Sequence, residues 1–374
     1  MTGIRPENLG ILNNSTPLQS ELGDKITLHY LFKKNEFETI GIGKTFHEKT
    51  PEHEDHKAWD AYYKFETTDL GWTGEKRNVT DGKLPWCFWQ ATEGTDDDQE
   101  DGQIAKKAVE IIKTEREKPF FLAVGLKKPH DPFVAPKKYF DMYPLEDCDP
   151  LELPEGYKPP YEHSLLPWSK EFDKFDEQDK REFLRSYYAC TSFMDAQVGK
   201  LLDALEESDQ LNNTIIVLFG DHGYHLGEHN WWNKVTIFEQ GTNAPFIVAG
   251  QSVEKKVVNS NAMFEFIDIY PTLAELLNLK NVIRFLPIHI SIRRTVVHLN
   301  AYIIIVRSYY LRYINPIILV AILFLRIMRS GDHHTAFAVK VSYSNGKHRS
   351  RAHFLKVQHV NPICSQHVCG GRRK

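Results

Sequence analysis

Three short stretches place ionisable side chains directly behind apolar, strand-like runs. In "TIIVLFGDHGYHLGEHNWWNK" (214–234) a β-branched run breaks at Gly220, and Asp221, His222 and Lys234 follow. In "PFFLAVGLKKPHDPF" (119–133) His130 follows the run, and in "GIGKTFH" (41–47) Lys44 and His47 follow a glycine turn. Ligands of open parallel sheets sit beyond the carboxyl ends of the strands, so strands that end this way deliver side chains into a crevice. Asp221 supplies the hard oxygen that Ca²⁺ or Mg²⁺ takes, and His222 with a glycine behind it suits a metal site. Lysines and histidines at these strand ends share one natural target, an anion. Each histidine taken alone reads equally well as an ordinary loop residue; the repetition argues for a site. Blander roles suit the rest of the first stretch. Gly227 and Glu228 shape a turn, His225 and His229 line a rim or serve structure, and Trp231 and Trp232 either stack on a sugar or anchor the loop.

The elements that must position these groups follow a helix-then-strand alternation over residues 1–280. "ITLHYLFKKNEFETIGIGKTFH" reads as an amphipathic helix leading to a short strand. "QIAKKAVEIIK" (103–113) has helical apolar spacing, and "PFFLAVGL" follows as a strand. A helix over about 180–207 precedes the strand "TIIVLFG", "APFIVAG" (244–250) reads as a further strand, and a last helix is predicted around 271–279. This order predicts an α/β fold with a mostly parallel sheet flanked by helices. Residues 133–175 hold seven prolines and read as a long surface segment wrapping the catalytic face.

Charge divides the chain of 374 residues at about residue 280. Residues 281–374 carry 15 Lys+Arg and a single acidic residue, Asp332, leaving 31 basic and 49 acidic residues in 1–280. In the second part turn chemistry and amphipathic period fade. Its most apolar piece, "AYIIIVRSYYLRYINPIILVAILFLRIMR", has a longest charge-free run of only 13 residues (313–325). A spanning helix needs about 20, so a membrane is not an expected partner. With a formal net charge of −4, nor is nucleic acid. "CSQHVC" (364–369) lacks the spacing of a common zinc motif. Five scattered cysteines build no disulfide scaffold, and the N-terminal "MTGIRPENLGILNN" has no apolar core of a signal peptide. The expectation is a catalytic domain over 1–280 and a basic tail over 281–374. The tail has the character of an out-of-frame translation and is expected not to pack on that domain.

"PFFLAVGLKKPHDPFVAPKKYFDMYPLE", "FGDHGYHLGEH" with "WNK", and "GKTFH" resemble the sulfatases of the alkaline phosphatase superfamily, nearest the iduronate-2-sulfatase-like branch. The resemblance runs from Met1 to Leu279. It implies hydrolysis of sulfate esters by a formylglycine made from a Cys or Ser in a Cys/Ser-x-Pro-x-Arg motif, with a divalent cation, usually Ca²⁺, on the sulfate oxygens. Carried over by motif, Asp221 and His222 are cation ligands. His130 and Lys234 hold the sulfate, with His130 the proton donor to the leaving oxygen, and Lys44 and His47 hold the formylglycine and sulfate. The implied partner is a sulfated carbohydrate or small sulfate ester, and the implied location secreted, periplasmic or lysosomal. The chain departs from the pattern at one essential point. No cysteine or serine lies in the Cys/Ser-x-Pro-x-Arg context, and "TGIRP" at the start resembles the segment that trails that motif. The strand with paired Asp ligands is not found either, so a truncated and inactive sulfatase is expected. Two other readings stay open: a non-catalytic binder of sulfated glycans, and a phosphatase or phosphodiesterase of the same superfamily.

Overall fold

The computed structural model describes residues 1–47, 51–158, 169–250 and 264–280, together with the backbone of three strands at 301–307, 337–339 and 354–356. Its centre is a six-stranded sheet. In chain order the strands are β1 (Glu38–Gly43), β2 (Ala61–Tyr63), β5 (Phe120–Leu126), β7 (Thr214–Gly220), β8 (Phe246–Gly250) and β9 (Ala301–Arg307), and in space they run β2-β1-β5-β9-β7-β8. All neighbours are parallel except the edge pair β7 and β8, which is antiparallel. Every residue of β5 is buried, as a parallel strand covered on both faces requires. The α/β reading of the sequence is thus the observed architecture.

Two apolar cores flank the strands that carry the site. One packs Phe121, Ala123, Ile215, Val217 and Phe219 of the sheet against Leu28, Leu31 and Phe32 of the helix Leu28–Lys34 and Ile269 and Leu273 of the helix Ile269–Leu276. The other lies under the 31-residue helix Glu177–Glu207. That helix starts at a reciprocal cap in which Asp176 Oδ1 accepts from Asp179 N (2.8 Å) and Asp179 Oδ2 from Asp176 N (3.2 Å). Its Phe183, Tyr187, Cys190 and Phe193 pack on a three-stranded sheet of β3 (Gly74–Asn78), β4 (Phe88–Thr92) and β6 (Phe133–Pro136). Arg77 of β3 ties that sheet to the helix through Asp179 and Glu182, each 2.5 Å away.

Two expectations change. The segment from Phe133 is not one long surface loop: β6 starts it, and Phe140, Cys148, Phe172 and Phe175 are buried in the second core, because aromatic side chains gain more from burial than proline costs in an irregular backbone. Residues 159–168 of that segment lie outside the described residues. The tail also does not stay wholly off the domain. Ala301–Arg307 pairs along its length with β5 on one side and β7 on the other. It satisfies the inner edges of two strands at once. The chain forms two compact units, one of 1–254 with 261–312, the other of 255–260 with 313–374. In the second, β10 (Phe337–Val339) pairs antiparallel with β11 (Phe354–Lys356). The apolar run 313–325 and "CSQHVC" lie outside the described residues. Among those described, no helix is long and apolar enough to cross a membrane.

Candidate functional site

The loop after β5 is fixed by a buried carboxylate. Asp101, near the start of the helix Glu100–Lys113, accepts from Lys127 N and Lys128 N, both at 2.8 Å. The Lys128 ammonium is turned back onto the chain, donating to Pro132 O at 2.8 Å and His130 O at 3.2 Å. The result is a rigid platform for His130. β1 ends beside it: Lys44 N donates to Gly125 O (2.9 Å), and a Cβ on Gly125 would come within 2.1 Å of Lys44 O. Only glycine allows that approach, which sets Lys44 at the same carboxyl edge.

The loop after β7 turns at Gly223, where a Cβ would meet Gln240 O at 2.0 Å. The chain then returns on aromatic anchors. Trp231 and Trp232 are wholly buried, so their role is to hold the loop and not to stack on a ligand. Trp231 Nε1 donates to Lys234 O (2.9 Å), and Tyr224 Oη donates to Trp232 O (3.2 Å). His225 is buried with Nε2 2.7 Å from Thr236 Oγ1, and burial lowers its pKa to about 4. His229 contacts the Tyr157 hydroxyl. Both histidines thus take structural roles, and the Glu228 carboxylate accepts from Leu226 N (2.7 Å) within the turn.

These two loops bring His130 and Lys234, 104 residues apart, to 2.8 Å between Nε2 and Nζ. Asp131 completes the chain of contacts: Oδ1 lies 3.0 Å from His130 Nδ1 and Oδ2 3.9 Å from Lys234 Nζ. Asp131 is the residue that reading the sequence missed, along with Lys128 and Asp101. Burial alone would raise the Asp131 carboxyl, but its hydrogen bond to His130 and the charges of Lys234 and Lys128 hold it below the usual carboxylate range. Burial lowers the Lys234 pKa; Lys44 pushes the same way, and Asp131 and Asp221 oppose. An ammonium only donates, so His130 Nε2 accepts, and the imidazole proton sits on Nδ1 toward Asp131.

Asp221 and His222 stand together at the end of β7, with Oδ1 and Nε2 3.6 Å apart and His222 Nδ1 2.7 Å from Gly223 O. Burial lowers the His222 pKa, Asp221 and the Gly223 carbonyl oppose this, and Lys234 and His130 add to it, so the four groups share one field. Two side chains do not by themselves fit Ca²⁺, which takes about six to eight oxygens. Among the described residues no group of three or more His, Cys, Asp or Glu is arranged to hold a metal ion. Lys44 lines a cleft with His130 and Asp131. His47 is exposed on the same loop, its ring 6.4 Å from that of His53, and does not line that cleft.

The arrangement suits an oxyanion: a partly buried ammonium and an imidazole lie side by side, backed by a carboxylate that supports positive charge on the ring. The sulfatase family model matches residues 1–279. A sulfatase of Formosa agariphila is 33% identical over 75% of this chain and 59% of its own length. Human iduronate 2-sulfatase is 31% identical over 74% of this chain and 54% of its own. The chain therefore spans little more than half the length of these curated relatives. The phosphonate monoester hydrolase of Silicibacter pomeroyi, at 18% identity, superposes with a TM-score of 0.58 over 74% of this chain and 62% of its own, which shows a shared fold. With the family's match covering every strand end that carries a site residue, the chain belongs to the sulfatase family.

Proposed function

We propose that this chain carries the anion-binding half of a sulfate-ester hydrolase, and that the substrate class is a sulfated carbohydrate of the iduronate-2-sulfatase-like kind. The observation that carries the reading is the Lys234–His130–Asp131 chain. Lys234 exchanges its hydrogen bond to His130 Nε2 for one to a sulfate oxygen when the anion enters. Nε2, freed of that bond, takes a proton from solvent and holds it for the leaving alkoxide, and Asp131 stabilises the imidazolium that carries it. Lys44 adds positive charge in the same cleft, and His47 a further donor on the same loop. Sulfatases use a divalent cation; Asp221 and His222 are the side chains that would reach it, and they need additional donors to close a shell.

The sequence contains no Cys/Ser-x-Pro-x-Arg motif. We therefore propose that this chain of 374 residues binds sulfate groups without turning them over, since loss of a nucleophile costs on the order of 10⁶ in rate. Support for the sulfate-ester reading over a phosphate-ester one comes from relatives at more than 30% identity that are named as sulfatases. The test is a paired assay of the purified chain and of the product of the complete gene on aryl sulfates and aryl phosphates. Sulfate turnover by the complete product alone fits the proposal. Turnover by the chain itself, or a phosphate preference in the complete product, contradicts it.

A further inference from the structure

Beside the His130–Lys234 pair lies a cleft of about 330 Å³, lined among others by Lys44, Trp72, Glu100, Lys127, Lys128 and His130. Trp72 differs from Trp59, Trp89, Trp231 and Trp232. Those four are buried, whereas Trp72 is 50% exposed, with Leu70 beside it 49% exposed. On the lining of the cleft, the half-exposed indole offers an apolar face to whatever enters.

The backbone beneath the indole is pinned. Trp72 N donates to Asp69 O (3.1 Å) and Trp72 O accepts from Gln90 Nε2 (2.6 Å). Gly71 is buried, its carbonyl accepting from Gln99 Nε2 (2.8 Å), and a Cβ there would lie 2.4 Å from Asp98 O. The main chain of the turn Leu70–Trp72 cannot move inward without breaking these contacts. The main chain that carries the indole is therefore fixed at the edge of the cleft.

Another part of the lining is charged. Lys127 Nζ lies 2.7 Å from Glu100 Oε2, and burial raises the Glu100 pKa while Lys127 opposes. A neighbouring ammonium and carboxylate offer a donor and an acceptor side by side, the complement of sugar hydroxyls, which both donate and accept. Inorganic sulfate or a small alkyl sulfate has no ring to place on the indole and no hydroxyl for this pair. A sulfated sugar has both, and His130 lines the same cleft as the indole.

We propose that Trp72 is a specificity-determining residue that stacks on the pyranose ring bearing the sulfate, with Glu100 and Lys127 taking its hydroxyls. The proposal rests on the anion-site reading of His130 and Lys234. The probes are inorganic sulfate, ethyl sulfate and a sulfated disaccharide, titrated calorimetrically into the intact chain and into Trp72→Ala and Trp72→Phe. Trp72→Ala is expected to weaken the disaccharide by about tenfold, the scale of one aromatic stack, and to leave inorganic and ethyl sulfate within about twofold. Trp72→Phe is expected to recover most of the loss. Unchanged disaccharide affinity in Trp72→Ala, with sulfate binding intact, overturns the platform alone. A parallel loss for all the probes assigns Trp72 to the fold and also overturns it. Failure of the unaltered chain to bind any sulfate overturns the anion-site reading and this proposal with it.

Discussion

Replacing Lys234 by methionine removes the ammonium and keeps most of the stem. The Nζ it deletes is 2.8 Å from His130 Nε2 and 3.9 Å from Asp131 Oδ2, with the side chain 20% exposed. A hydrogen bond from a charged donor contributes about 1.5–3 kcal/mol. At about 1.4 kcal/mol per decade that predicts a loss of about 10- to 100-fold in sulfate affinity. The pH dependence gives a second handle. The bound anion needs the ammonium charged, and burial has lowered the Lys234 pKa despite Asp131. Sulfate affinity of the unaltered chain should therefore decline with rising pH earlier than an ordinary lysine, at about 10.4, would allow. The variant should lack that decline. The assay is isothermal titration with sodium sulfate at constant ionic strength over a pH series, since exposed charges are screened and this partly buried one is screened less. A variant that binds within about twofold of the original at every pH would refute the role given to Lys234.

Other consequences are checked by standard measurements. His29 is fully buried against Phe46, Trp59 and Phe121, neither ring nitrogen has a protein partner, and burial takes its pKa to about 3. A ring neutral when folded and protonated when unfolded costs stability as pH falls from about 6.5 toward that value. His29→Phe should thus raise the melting temperature by a few degrees, on the order of 1 kcal/mol, and flatten the acid limb of the stability curve; an unchanged acid limb would count against it. Calcium titrated into the chain should bind in the millimolar range or weaker, because Asp221 and His222 stand without a third His, Cys, Asp or Glu among the described residues; micromolar binding would reveal ligands elsewhere. Truncation after Lys280 withdraws β9 from between β5 and β7 and should lower the melting temperature. An unchanged value would mark the tail as adding nothing to the domain, as the product of a shifted reading frame would.

Much of the site-bearing fold was legible because its signals are local. The run from Phe120 to Leu126 and the run from Thr214 to Gly220 are apolar, rich in β-branched or aromatic residues, and followed by charge, which is enough to place a strand and its functional end. The helix observed at Glu177–Glu207 was legible from about residue 180 onward. What escaped notice depends on distant partners. β4 meets β6 across more than forty residues of chain, and neither is long enough to stand out alone. Asp131 reads as a loop carboxylate until Lys234 arrives from 103 positions away, and Asp101 reads as a surface residue of a helix start until two backbone amides close on it. Trp231, Trp232 and Trp72 are the same residue type with opposite roles, and only burial separates them. The edge strand β8 was legible as a strand, but its antiparallel sense was not, because direction is set by the connection and not by the residues it contains.

The central claim is that one sulfate group sits between Lys234 and His130. A crystal structure of the chain grown with saturating sulfate tests it most directly. The expected result is a tetrahedral anion within hydrogen-bond distance of both Lys234 Nζ and His130 Nε2, at about 2.7–3.2 Å, with the direct contact between those two atoms lengthened. An intact Lys234–His130 hydrogen bond with no anion beside it, or sulfate bound only at other surfaces, would contradict the claim.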